Sequence, residues 1–120
     1  MEYVTDAYGL LLVPDSGTQL KLNIGGHLEV KSLPPLPVTT LVYAADCPSL
    51  IHIDTSAATF IYAAGCPSLI YIDAPSALYI NADGCASLLH INAPIAVHIS
   101  AKNCPHLCRI DSPDTTLLKL

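Results

Sequence analysis

Hydrophobic and polar positions along this chain recur with a period of 19 residues, marked by Cys47, Cys66, Cys85 and Cys104 without insertion or deletion. A fixed period of this length is the signature of a solenoid, in which each repeat forms one coil and buries its apolar face only by stacking on its neighbours. Aligned coil on coil, the sequence becomes columns. Leu50, Leu69, Leu88 and Leu107 form one, Ile53, Ile72, Ile91 and Ile110 a second, and Val42, Ile61, Ile80, Ile99 and Leu118 a third. Small residues hold two more, Ala58, Ala77, Ala96 with Thr115, and Ala44, Ala63, Ala82, Ala101 with Leu120. Those columns predict a thin core, with the two walls of each coil close together and bulky replacements overpacked.

The columns also predict the elements. Phe60 to Ala63, Leu78 to Ala82 and Val97 to Ala101 have the composition of short strands that stacking would pair into a parallel sheet, and Leu50 to Ile53 with its equivalents forms a second extended segment. Pro75, Pro94 and Pro113 mark one corner of the coil, and Gly65 and Gly84 the other. Long helices have no room. Residues 1–32 do not follow the period and are read as an N-terminal capping segment: Leu10 to Val13, a turn at Pro14 to Gly17, then Leu20 to Ile24 predict a β-hairpin over the first coil. Residues 33–120 are read as the solenoid, with units starting near 47, 66, 85 and 104. The expected fold is a mostly β, single-domain parallel β-solenoid of about four to five coils.

Across one coil, Ala77-x-x-Ile80-x-Ala82-x-x-Cys85-x-x-Leu88-x-x-Ile91 matches the spacing LxxLxLxxCxxLxxL, and Leu33-Pro34-Pro35-Leu36-Pro37 looks like the LPxLP segment of short bacterial repeats. Over residues 33–118 the chain thus resembles leucine-rich repeat proteins. Repeats in that family run from about 20 to 29 residues, and alanine here replaces leucine at two core positions, so a flatter, narrower solenoid stands beside the curved horseshoe. The resemblance implies a binding role, with recognition on the outward positions of the main strands: Leu41, Tyr43 and Ala45; Phe60, Tyr62 and Ala64; Tyr79, Asn81 and Asp83; His98, Ser100 and Lys102. It also implies that a cysteine at this position is a small buried residue beside the turn.

Composition narrows the function. Hydrophobic residues make up 52% and charged residues 12% of the 120-residue chain, which excludes a disordered, heavily solvated polypeptide. A net charge of −5 has the wrong sign for gripping a phosphate backbone, so direct nucleic-acid binding is not expected. Glu2, Asp6 and Asp15 interrupt the N-terminal stretch, so neither a secretory signal nor a membrane span is expected and the location is read as cytoplasmic. Five cysteines placed by the repeat fit reduced thiols, not a disulfide framework.

No GxSxG, HExxH, phosphate loop or dinucleotide fingerprint occurs, so neither catalysis nor a cofactor is expected. The thiol file raises metal or redox chemistry as an option, Cys104 and Cys108 being the densest cluster, but tetrahedral zinc wants converging ligands and not a line, and no metal site is expected. A column of His52, Tyr71, His90 and Arg109 should face outward, away from the main sheet. Asp54, Asp73 and Asp111, with Asn92, form an acidic column whose side chains either cap turn amides at their own corners or imitate a nucleic-acid backbone, as a phage-type inhibitor of a defence complex would. The favoured expectation is a protein-binding module that blocks or bridges its partner through Tyr43, Phe60, Tyr62 and Tyr79, with Asn81, Asp83, His98 and Lys102 setting specificity. The last coil shows no polar cap, which adds a homodimer through the C-terminal edge to the expected partners.

Overall fold

The computed structural model describes residues 3–4, 11–15, 19–26, 28–32, 40–56, 58–113 and 115–120. The segment Leu33-Pro34-Pro35-Leu36-Pro37 and the hairpin turn at residues 16–18 lie outside them. Three strands precede the repeats: β1 (Tyr3–Val4), β2 (Leu11–Asp15) and β3 (Gln19–Asn23). Strands then alternate around the coils as β4 (Thr40–Tyr43), β5 (His52–Asp54), β6 (Ala58–Tyr62), β7 (Tyr71–Asp73), β8 (Tyr79–Asn81), β9 (His90–Asn92), β10 (His98–Ser100), β11 (Arg109–Asp111) and β12 (Leu117–Lys119). Among the described residues there is no helix, and so none long and apolar enough to cross a membrane.

The strands form two sheets. One has eight strands in the order β1-β2-β3-β4-β6-β8-β10-β12, and the other has four, β11-β9-β7-β5. From β3 onward every pairing is parallel, so the chain winds as a β-solenoid of about four turns. The expected hairpin is present as the antiparallel pair β2–β3, with β1 added to its edge, and β3 joins the first repeat strand. Pairing also continues beyond the strands. Ile70 N–H donates to the Ile51 carbonyl and Leu89 N–H to Ile70, while on the large-sheet side Leu78 N–H donates to Thr59 and Val97 N–H to Leu78.

The described residues among 22–32, within the segment read as a cap, stack on the first repeat coil. Leu22, Ile24 and Val30 are buried, Leu22 pairs with Val42, and Ile51 N–H donates to the Lys31 carbonyl. Both pairs are offset by 20 residues, one more than the later coils, which is why the strict period conceals this one.

The core follows the columns. Leu50, Leu69 and Leu88, Ile53, Ile72 and Ile91, and Ile61, Ile80 and Ile99 are fully buried, each stabilising the stack by roughly 1.5–3 kcal/mol through apolar burial. The alanines of the two small columns are buried as expected, whereas Thr115 is half-buried and Leu120 exposed, and a third small column lines the small-sheet wall: Thr55, Ala74 and Ala93, with half-buried Ser112. At the last coil the same columns come to the surface, for Cys104, Leu107 and Ile110 only pack partly against the core and Leu118 is 47% exposed.

The corner glycines answer a backbone demand. Gly26, Gly65 and Gly84 have φ of 73°, 75° and 75°, and the equivalent Asp46 and Asn103 have φ of 58° and 59°. One left-handed residue per coil turns the chain out of the large sheet, and only glycine, asparagine or aspartate adopts that conformation cheaply.

Leu88→Ala should cost about 2–5 kcal/mol through the cavity it leaves, and Leu107→Ala clearly less because its site is open, whereas Ala77→Leu should cost about 1–3 kcal/mol by overpacking. Urea unfolding of the three variants checks the order.

Candidate protein-binding face

Residues next to the inward isoleucines of the large sheet point outward, and parallel pairing stacks them into two files. Leu41, Phe60, Tyr79, His98 and Leu117 form the first, and Tyr43, Tyr62, Asn81, Ser100 and Lys119 the second. Strands in a sheet lie about 4.8 Å apart, which is close to ring-stacking distance. Phe60 and Tyr79 stack with centroids 4.7 Å apart and planes 4° from parallel, Tyr79 meets His98 edge-on at 4.6 Å, and Tyr43 leans on Phe60 at 5.5 Å. Phe60 and Tyr79 thus spend a face on each other, while Tyr43 and His98 extend the contact at tilted and edge-on angles.

Six of the eight residues expected to contact a partner lie on these two files, and Asp83 and Lys102 lie in the turns that follow them. Tyr43, Phe60, Tyr79 and His98 are half-buried, while Tyr62 is exposed beside them. Asn81 and Asp83 have structural work as well: Asn81 Oδ1 accepts the Asp83 N–H at 3.0 Å, and Asp83 Oδ1 accepts the Ser100 hydroxyl at 2.6 Å and the Lys102 N–H at 2.8 Å. These bonds fix the turn above and bury Ser100. Lys102 is exposed in the turn after β10. His98 Nε2 is enclosed without a hydrogen-bond partner, which leaves one polar atom of this face unsatisfied.

The small sheet carries the second outward surface. His52 and Tyr71 stack at 5.2 Å. Among the described residues Asp73 and Asp111 bond to side chains, Asp73 to Asn92 on the next coil and Asp111 to His90 on the coil before and to Arg109 on its own strand. Asn92 Nδ2 donates to Asp73 Oδ1 at 3.0 Å, and Asp111 Oδ2 lies 2.9 Å from His90 Nε2 and 3.0 Å from Arg109 Nε. His90 first, with Arg109, holds the Asp111 carboxyl below the ordinary carboxylate range. Asp54 remains exposed at the start of the column.

The cysteines form a ladder. Cys47, Cys66, Cys85 and Cys104 donate their thiol protons to the carbonyls of Ile24, Ala44, Ala63 and Ala82 at 3.0, 3.0, 3.2 and 3.1 Å, each reaching the coil below. Cysteine suits this position because it is small enough for the corner and supplies the donor a buried carbonyl needs. The first three are fully buried, Cys104 is half-buried, and Cys108 lies outside the ladder, exposed. A hydrogen bond with Cys47 acts to lower the Cys66 thiol, but the bond with Cys85 and burial outweigh it and push it up to about 11. The neighbouring Cys66 thiol holds Cys85 lower against burial, and burial raises Cys104. Among the described residues no three His, Cys, Asp or Glu side chains gather as a metal-ligand set.

Compared with protein-family models, with curated proteins and with solved structures, the chain matches none. Sequence reasoning found the columns but missed the bonds between them. The signal for one was available, since His90 and Asp111 sit one period plus two residues apart, the spacing of diagonal neighbours on one face of a parallel sheet.

Two measurements check the ladder. Under native, reducing-agent-free conditions an Ellman titration should count Cys108 promptly and Cys104 slowly, with Cys47, Cys66 and Cys85 reacting only on unfolding. Cys66 is a thiol at about 11 when folded against 9.0 unfolded, so its contribution is complete below pH 9 and is lost as pH rises toward 11. The stability difference between wild type and Cys66→Ala should therefore shrink across that interval.

Proposed function

We propose that this chain is a non-enzymatic protein-binding module that engages its partner through the outward face of the large sheet. One observation carries the reading: a continuous aromatic ladder of Tyr43, Phe60, Tyr79 and His98, with exposed Tyr62 beside it, stands on the solvent side of a sheet whose other side already forms the core. Tyrosine at such a surface supplies large contact area with little side-chain entropy to lose, and aromatic residues dominate interface energetics. Polar groups border the ladder at Asn81, Asp83 and Lys102, the arrangement of an apolar centre with a polar rim. The mode of action is obstruction or bridging of the partner, with no chemistry performed on it and no cofactor.

The spacing of the coils, their thin core and the buried cysteine beside the turn support kinship with leucine-rich repeat proteins, whose sheet face is also their recognition surface. The acidic column carries no second reading here, since Asp73 and Asp111 spend their charge on Asn92, His90 and Arg109.

The test uses a double variant chosen to spare the ladder. Tyr62→Ala removes the exposed ring, and Tyr79→Phe removes a hydroxyl while keeping the stack on Phe60. Loss of about 2 kcal/mol, the threshold of an interface hot spot, lowers affinity about 30-fold. The tagged chain should retain from its own cells' lysate a protein, identified by mass spectrometry, that the double variant loses while its circular dichroism is unchanged. Undiminished capture by the variant overturns the assignment of this face.

A further inference from the structure

The aromatic face is complementary to itself. Its first file runs Leu41, Phe60, Tyr79, His98, Leu117 along the coil axis and its second Tyr43, Tyr62, Asn81, Ser100, Lys119, so Tyr79 and Asn81 form the middle rung. A two-fold axis through that rung, lying in the plane of the face and parallel to the strands, sets each file opposite itself in reverse order. Large then meets small: exposed Tyr62 comes opposite buried Ser100, Phe60 opposite His98, and Leu41 opposite Leu117. Leu78 and Val97, 47% and 48% exposed, widen the apolar strip beside the first file.

Charge selects the same axis. Asp46 stands at the corner after β4, and its carboxylate leans over Gly65 on the next coil, filling the space a β-carbon there would need. Backbone pairing puts Ala64, Asp83 and Lys102 in one column, so the two-fold brings the second copy's Lys102 to the coil of Ala64 and Gly65, beside that carboxylate. The second copy's Lys119 arrives level with Tyr43, where an ammonium can lie on a ring. Asp83 sits level with the axis and faces its own copy, but its Oδ1 is already bonded to the Ser100 hydroxyl and the Lys102 N–H, and the second copy's Lys102 is one coil away. A two-fold along the coil axis would instead gather both copies' lysines at one end and both Asp46 side chains at the other, with no carboxylate opposite an ammonium.

The area is sufficient. The five repeat strands β4, β6, β8, β10 and β12 stack to about 24 Å at the usual strand spacing, and the molecule measures 28 Å in its second dimension. A footprint of roughly 700 Å² is close to what each partner of a stable interface buries. We infer that this face docks a second copy of the chain, the two coil stacks antiparallel across a two-fold axis at Tyr79. That assignment rests on the reading of the face as a protein-binding surface and names its partner. A two-fold contact requires one patch to complement itself, and this one does so in both size and charge.

Sedimentation equilibrium under reducing conditions should show the 12.7 kDa chain associating reversibly to twice that mass. Tyr62→Ala, which removes a ring twice per dimer, should weaken association at least about 30-fold. Asp46→Asn, which the left-handed backbone accepts, should weaken it about threefold to tenfold, and added salt should act in the same direction. Charge exchange reads the geometry directly: Asp46→Lys and Lys102→Glu should each dimerise poorly alone, whereas an equal mixture restores both ion pairs and forms a heterodimer tighter than either. Should Asp46→Lys fail to fold by circular dichroism, Tyr62→Ala and Asp46→Asn still decide. A chain that stays monomeric, a dimer indifferent to Tyr62→Ala, or a mixture no tighter than its parents overturns the proposal. A monomer whose captured protein is still lost with Tyr62→Ala and Tyr79→Phe removes the second copy and spares the binding face; a monomer that captures nothing removes both.

Discussion

Parallel hydrogen bonding between consecutive coils is the constraint on which the rest of this molecule depends. It fixes each residue above its counterpart one period earlier, at the sheet spacing of about 4.8 Å. A residue type chosen at one position must therefore tolerate its own kind directly above and below. Leucine, isoleucine and alanine do so by packing. Glycine does so at the corner because every coil needs a left-handed residue there, and Asp46 and Asn103 take its place where the chain departs from glycine.

Polar residues obey the same constraint differently. Carboxylates stacked in register repel, and the chain relieves this by changing the partner: Asn92 stands over Asp73, and Asp111 shares His90 and Arg109. Thiols avoid the problem by remaining protonated and donating down the stack, which burial reinforces at Cys66. Aromatic rings gain from it, since the spacing of strands is nearly the spacing of stacked rings. One backbone rule thus yields a core, a thiol ladder and an aromatic surface.

Much of this was legible because the period is strict. The inward columns, the proline and glycine corners, the two extended segments per coil and the outward position of Tyr43, Phe60, Tyr62 and Tyr79 all follow from aligning the sequence on itself. Strand bounds shifted by a residue or two, as at Leu50 to Ile53, where the strand is His52–Asp54, because apolar content marks burial and not pairing. The stacking of the described residues among 22–32 stayed hidden behind one extra residue. The Thr55, Ala74, Ala93 and Ser112 column was overlooked because its members share size but not polarity. The pairing of Asp111 with His90 went unseen because a column lists what lies above a residue and not what lies diagonal to it.

The offset between coils also governs how the chain acquires its structure. Almost every pairing joins residues about 19 positions apart, from Leu41 with Phe60 to Ile99 with Leu118, so closing any one coil costs the entropy of a short loop and presents a finished surface to the next. Folding can then advance by accretion, each turn laid on the one before, with no long-range search for a distant strand. The antiparallel hairpin β2–β3 is the most local pairing of all, and it sits at the end of the stack where such growth would start.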